Sequence, residues 1–191
     1  MPGPGMVRDI DAAMIDDPRI EAILKEIPGL PDGGTLLNVG HHKWSMGRIL
    51  SFFIERGFRV TTLEIHEPNV RWMRVNEPGV HERIVLGDVR RIAQDRLFPP
   101  RAFDVALWWH GPEHVERPEI GWALWQLEAV SKGLTILGCP FGVYEQGAFE
   151  GNEHEIHRCY LYPDDFERFG YRVATVGEHD KAGSIVAWRS A

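Results

Sequence analysis

The chain has 191 residues, 43 % hydrophobic and 26 % charged, a composition that builds a core and excludes a disordered tail. Its 21 Lys and Arg against 28 Asp and Glu leave a net charge of −7, which argues against a broad nucleic-acid surface and against an acidic membrane surface as partners. No run approaches the ~18 apolar residues of a membrane span, the start Met1-Pro2-Gly3-Pro4-Gly5 lacks the basic and apolar parts of a secretion signal, and the two cysteines, Cys139 and Cys159, make no disulfide framework.

Asp9 to Ile27 carries Ile10, Met14, Ile20, Ile23, Leu24 and Ile27, interrupted by Pro18, which predicts one or two short surface helices. Pro28-Gly29 and Pro31-Asp32-Gly33-Gly34 end them. A strand follows over Thr35 to Val39, then a helix over Ser45 to Arg56, stopped by Gly57. Arg59 to Ile65 is β-branched and reads as a second strand. Pro68 to Asn76 reads as a helix, Arg83 to Leu86 as a third strand, and Val89 to Arg96 as a short helix. The fourth strand spans Ala102 to Trp109. An amphipathic helix covers Pro118 to Ser131, with Ile120, Leu124, Leu127 and Val130 at helical intervals. Leu134 to Leu137 is a fifth strand. Phe141 to Tyr162 has no clean period and three glycines, so it reads as a long loop. A short helix over Pro163 to Phe169 precedes two strands, Tyr171 to Val176 and Ser184 to Trp188, joined as a hairpin.

Strand–helix alternation of this kind predicts a doubly wound α/β fold, a parallel sheet with helices on both faces. At about 100–200 residues per domain, the expectation is one domain over 1–191. Residues 1–33 are its helical extension, 34–191 its core, and 141–162 a loop or lid. The expected compartment is the cytoplasm, with reduced thiols.

In open α/β sheets, ligands lie beyond the carboxyl ends of the strands, near the point where strand order reverses. The residues that follow each strand are therefore the candidate site. They are Asn38 to Lys43, Glu64-Ile65-His66, Gly87-Asp88-Val89, Trp109 to His114 and Gly138-Cys139-Pro140. Glu64 stands 64 − 40 = 24 residues after Gly40. A carboxylate there accepts both hydroxyls of a ribose side by side; the alternative is a solvated charge at a strand end. Asp88 suits either an adenine amino group or the cap of the next helix. Gly40 lets backbone approach a ligand. Gly40 to Ser45 supplies only the first glycine of Gly-x-Gly-x-x-Gly, so a pyrophosphate cradle is not indicated. His41, His42 and Lys43 offer donors instead, with Lys43 facing either an anionic ligand group or water.

The order of these residues resembles the class I S-adenosylmethionine-dependent methyltransferases, over roughly residues 34 to 189. The resemblance rests on the strand and loop at Leu36 to Gly40, on Glu64, on Gly87-Asp88, and on Phe103 to Leu107 leading into Glu113-His114-Val115. It continues through Leu134 to Pro140, Gly151 to Arg158, Pro163-Asp164-Asp165-Phe166 and the terminal hairpin. It implies a Rossmann-like seven-stranded sheet in the order 3-2-1-4-5-7-6 with strand 7 antiparallel, and S-adenosylmethionine as cofactor. By the same resemblance, Asn38, Gly40, His42 and Lys43 surround the methionine end and Glu64 takes the ribose. Ile65, Asp88 and Val89 flank the adenine, and Trp109 or His110 approaches the methyl group. The first loop departs from the family pattern: Asn38 replaces the usual acid, and His42 and Trp44 replace the second and third glycines.

A neutral imidazole near pH 7 can accept the proton of a hydroxyl, amine or thiol that takes a methyl group. His110 and His114 flank the mouth of the fourth strand, and His154 and His157 lie in the long loop. The expected base is His110, with His114 and His157 next. The alternatives are a helix cap for His114 and loop hydrogen bonds for His154 and His157. The same histidines, with Glu113, Glu153 and Glu155, have spacings seen among metal ligands. Gly111-Pro112 breaks a regular helix between His110 and His114, and no metal is assigned. Trp108 and Trp109 are neighbours on a strand and point to opposite faces, so one of them can line a pocket for a flat substrate. The functional reading is methyl transfer to a small-molecule acceptor by a chain compatible with a homodimer. The altered first loop supports a second reading, a methyltransferase-fold binding or partner module without catalysis.

Overall fold

The computed structural model describes residues 18–41, 47–181 and 183–191. The expectations for Asp9 to Asp17 and for His42 to Met46 lie outside these residues. Apolar runs between turn residues form seven strands: β1 (Gly34–Val39), β2 (Phe58–Glu64), β3 (Arg83–Leu86), β4 (Phe103–Trp109), β5 (Ser131–Pro140), β6 (Arg172–Val176) and β7 (Ser184–Ser190). They form one sheet in the order β3-β2-β1-β4-β5-β7-β6. β1 is parallel to β2 and β4, and the β2–β3 and β4–β5 pairs are parallel too. β7 runs antiparallel between β5 and β6. This is the expected order and direction throughout.

The helices are α1 (Pro18–Glu26), α2 (Gly47–Glu55), α3 (Glu67–Asn76), α4 (Ile120–Val130) and α5 (Asp164–Glu167). The pleat sends alternate strand residues to opposite faces, so the sheet has two cores. Leu36, Val105, Leu107, Trp109 and Ile136 meet Ile20 and Leu24 of α1 and Ile49, Leu50 and Phe53 of α2. Leu37, Val39, Ala106, Trp108, Leu137 and Cys139 meet Ile120, Leu124 and Leu127 of α4. Each fully buried Leu, Ile or Phe contributes ~1.5–3 kcal/mol relative to exposure. At the amino ends of β1 and β4, Asp104 Oδ2 accepts from Thr35 N (2.8 Å) and Thr35 Oγ1 (2.7 Å). The two strands are thus clamped at one end, and their carboxyl ends are left for a site.

Some boundaries differ from expectation for visible reasons. The helix expected over Val89 to Arg96 is a 3-10 turn, Val89–Arg91. The Ala93 N–H, which a continuing helix would give to the Val89 carbonyl, goes instead to Gln126 Oε1 at 2.6 Å. A 3-10 turn at Arg117–Glu119 opens the helix expected from Pro118, and Ser131 already belongs to β5. β5 pairs with β4 on one side and β7 on the other, so its partners, not its apolar run alone, set its length. Trp122 and Trp125 are half-exposed and stack on each other with ring centroids 4.8 Å apart. Segment 141–162 holds a single 3-10 turn, Glu153–Glu155, and two isolated bridges among the described residues. Both cysteines are free thiols. No helix among the described residues is long and apolar enough to cross a membrane.

Candidate active site

The carboxyl ends of β1, β2 and β4 and the turn after β3 enclose a cavity of about 370 Å³, within the ~300–1,000 Å³ of small-molecule sites. Gly40, Glu64, Ile65, Asp88, Val89 and Trp109 line it, as do His110 and His114. Trp108 lines it as well, although it packs on the opposite face of the sheet from Trp109. The long loop adds Asn152, His154, Glu155 and Arg158 to the wall. Of the expected cofactor residues, Asn38 is not on the wall. Its buried amide donates to the Gly40 carbonyl at 3.0 Å and fixes the loop from behind. His42 and Lys43 lie outside the described residues. His157 stands behind His114 and not on the wall, with ring centroids 4.9 Å apart.

Glu64 is not a solvated strand-end charge, being only 4 % exposed. Its Oε2 accepts the His41 N–H at 2.8 Å and its Oε1 the His66 N–H at 2.7 Å. Burial pushes its pKa up from the usual 4.5, and the His66, His41 and Ile65 amides work against that rise. The Asn69 side chain also favours the charged form of Glu64. Gly40 has φ +77° and open space where a Cβ would stand, so the chain turns there at little cost.

Asp88 realises the capping alternative. Its Oδ1 accepts the Arg90 N–H at 2.8 Å, and the Arg90 guanidinium donates to both of its oxygens. Burial opposes the charge on Asp88, but these Arg90 contacts outweigh it and hold the pKa below the usual range. Arg90 also donates to Glu119 at 2.9 Å. Arg90 and Glu119 both line the cavity and were not singled out in the sequence. The available signal was a basic residue two positions after a capping Asp.

The mouth of β4 is built around Glu113. His110 follows the strand with φ +47°, a left-handed conformation uncommon for a non-glycine residue. Its backbone N–H donates to the Gly138 carbonyl at 2.9 Å, and its Nδ1 faces Glu113 Oε1 at 3.3 Å. Trp108 fills the space under Gly111, where a Cβ would stand 1.8 Å from the indole nitrogen. Glu113 is 2 % exposed. Burial opposes its charge, but the hydrogen bond from His110 and the surrounding imidazoles of His114, His110 and His157 hold its pKa well below the usual carboxylate range. Burial pushes the His114 pKa down, against the pull of the Glu113 carboxylate beside it. The loop-bonding alternative holds for His157, whose Nδ1 donates to the Tyr144 carbonyl at 2.7 Å. The sequence placed Glu113 only as an extra oxygen among spaced histidines. Its place at the centre of three rings is set by the fold.

No protein-family model matches this chain, and no curated protein does. Solved structures do. An S-adenosylmethionine-dependent methyltransferase from Aquifex aeolicus is 20 % identical and superposes over 100 % of this chain and 99 % of its own at a TM-score of 0.61. A Burkholderia thailandensis 1,6-didemethyltoxoflavin-N1-methyltransferase, with bound 1,6-didemethyltoxoflavin and S-adenosylhomocysteine, is 18 % identical over 100 % and 91 %, at 0.57. A Rhodobacter sphaeroides structure described as one of the zinc-dependent alcohol dehydrogenases is 13 % identical over 90 % and 88 %, at 0.65. Identities this low establish shared architecture, not shared chemistry. With its strand order and its antiparallel seventh strand, the chain has the fold of the class I S-adenosylmethionine-dependent methyltransferases.

Proposed function

We infer that the protein binds S-adenosylmethionine and transfers its methyl group to a small-molecule acceptor. The observation that carries this reading is Glu64. It is a buried carboxylate at the end of β2, fixed by two backbone N–H donors, and it forms part of a cavity wall. Its remaining lone pairs suit the two hydroxyls of a ribose. Leu63, Ile65 and Val89 give the neighbouring wall the apolar character that an adenine ring needs. These residues fit the nucleoside half of the cofactor. The bound cofactor supplies a methyl group activated on a sulfonium.

His110 is the base in this reading. Its Nδ1–H is given to Glu113 Oε1, so its Nε2 holds the lone pair that receives the acceptor's proton. Glu113 orients the ring through this contact. Trp108, Trp109 and Val115 supply apolar wall beside it, and Asn152, His154 and Arg158 add the loop side, which limits water at the reacting groups. The net charge of −7 favours a small acceptor over a nucleic acid. The small heterocycle held by the Burkholderia structure points the same way.

The departures at Asn38, His42 and Trp44 support the second reading, a binding module without catalysis. Calorimetric titration of the folded chain with S-adenosylmethionine, S-adenosylhomocysteine and NAD separates the two. Saturable binding of the first two and not of NAD is expected. Absence of all binding overturns the enzyme reading in favour of the module, and binding of NAD alone points to the chemistry named for the Rhodobacter structure.

A further inference from the structure

Glu113 has a second set of neighbours besides His110. His114 Nδ1 faces the Ile156 carbonyl at 3.3 Å, and His157 Nδ1 faces the Tyr144 carbonyl at 2.7 Å. Carbonyl oxygens only accept, so each Nδ1 carries the ring hydrogen and each neutral ring keeps its lone pair on Nε2. His157 Nε2 comes to 3.9 Å from Glu113 Oε1, outside hydrogen-bond distance. A carboxylate oxygen of Glu113 and one nitrogen from each of His114 and His157 lie within 4.8 Å of one another. Glu113 Oε2 is buried without a hydrogen-bond partner. A carboxylate oxygen and two imidazole nitrogens therefore converge on one largely buried place, and the His110 N–H reaches only Oε1. Such a set is held together only by a positive charge among its members, a metal ion or a ring proton, and the unpartnered Glu113 Oε2 leaves a metal ion a place to bind.

A second cluster shows the contrast. His41 and His81 both reach Glu77 directly, at 3.0 and 2.7 Å, so ring N–H groups satisfy that carboxylate and no ion is called for.

We propose that Glu113, His114 and His157 bind a divalent transition metal of the zinc type at the edge of the cavity. Two imidazoles and a carboxylate form a zinc donor set that leaves a position open. A ring N–H given to a backbone carbonyl is the outer hydrogen bond that orients a metal-ligating histidine. Zinc bonds of ~2.0–2.1 Å place tetrahedral ligand atoms ~3.4 Å apart, so ligand atoms that now lie within 4.8 Å of one another draw together by at most about 1.4 Å. The two loops that supply the ligands are already joined: the Glu113 carbonyl accepts from Arg158 N (2.8 Å) and Cys159 N (3.3 Å). Cys159 turns its thiol to the Val115 carbonyl at 3.3 Å and stays out of the set. His114 belongs both to the cluster and to the cavity wall, so the ion borders the space where an acceptor oxygen would lie. The site rests on this geometry and not on the methyl-transfer reading.

The test uses the full chain, stripped with a chelator, loaded with zinc chloride and desalted, with magnesium chloride in parallel. About one zinc per chain is expected to remain by elemental analysis, and magnesium is not. X-ray absorption of the zinc-loaded chain should show two imidazoles and oxygen around the metal and no sulfur. His157→Asn and Glu113→Gln should each lower zinc affinity more than 100-fold, while His81→Ala keeps it. A folded chain that retains no zinc overturns the proposal. So does a sulfur ligand, or unchanged affinity in both cluster variants. If those variants do not fold, metal content and X-ray absorption of the unaltered chain still decide the matter. Since the readout is bound metal, its failure is distinct from a failure to bind S-adenosylmethionine.

Discussion

In the proposed reading, Glu64 and His110 have separable roles at the level of single residues. Glu64→Ala removes an acceptor for two backbone amides and, in the proposed reading, for the ribose, and should weaken S-adenosylmethionine binding by about 1–3 kcal/mol in calorimetry. Unchanged affinity would remove Glu64 from the ribose. Glu64 also sets a pH signature. Its folded pKa lies above 4.5, so the folded chain takes up a proton where the unfolded chain has already lost it. The stability it contributes is full below the unfolded pKa and is lost as pH rises through the folded one. In the proposed reading, ribose binding needs the carboxylate and should strengthen over the same window. Cofactor affinity should therefore drop on acidification earlier than an ordinary glutamate allows, and that step should vanish in Glu64→Gln. His110→Ala should leave cofactor affinity nearly intact and slow transfer by about 100-fold or more. Equal turnover would take the base role away from it. The place of both residues on the cavity wall was legible in the sequence because strand ends are where this fold class puts ligands. Asp88 was legible only as a choice between two roles, since nothing local said that Arg90 would occupy its carboxylate.

The central element is the β4–β5 pair, which aims the mouth of the site. Trp109 lies across Gly138, where a Cβ would stand 2.3 Å from the indole ring. The Gly138 carbonyl also takes the His110 N–H. Gly138→Ala therefore forces the indole aside in a closed core and should cost about 1–3 kcal/mol, read from urea denaturation. It should also displace His110 and lower turnover. Full stability in that variant would mean that the indole has room to move. Strand identities in this region followed from apolar runs and β-branched residues. Strand lengths did not, because β5 is extended by pairing on both sides, and pairing is a property of neighbours remote in sequence. The helix expected after Asp88 failed for the same kind of reason, a side chain of α4 capturing the amide that would have continued it.

For the whole molecule, a ligand that binds only the folded chain stabilises it by mass action. S-adenosylhomocysteine at about 100 times its dissociation constant should add ~2.7 kcal/mol. For a chain of this size that is a rise in melting midpoint of about 5–10 °C, visible by scanning calorimetry and absent with NAD. An unmoved midpoint would count against a nucleoside site in the cavity. The succession of elements, the two-faced sheet and the acids at strand ends were all readable from one chain, because the helical and strand periods, turn residues and caps act over a few neighbours. Side-chain company across loops was not. Asn38 pins the first loop from behind where the resemblance implied a ligand contact. Glu113 gathers His110 and His114 from its own turn and His157 from more than forty residues away. That gathering depends on amides of segment 141–162 reaching the Glu113 carbonyl. A segment without a period leaves no trace in sequence of the carbonyls and amides it will meet. Which histidines line the cavity, which face a carboxylate and which face a backbone carbonyl were therefore decided by tertiary contacts alone.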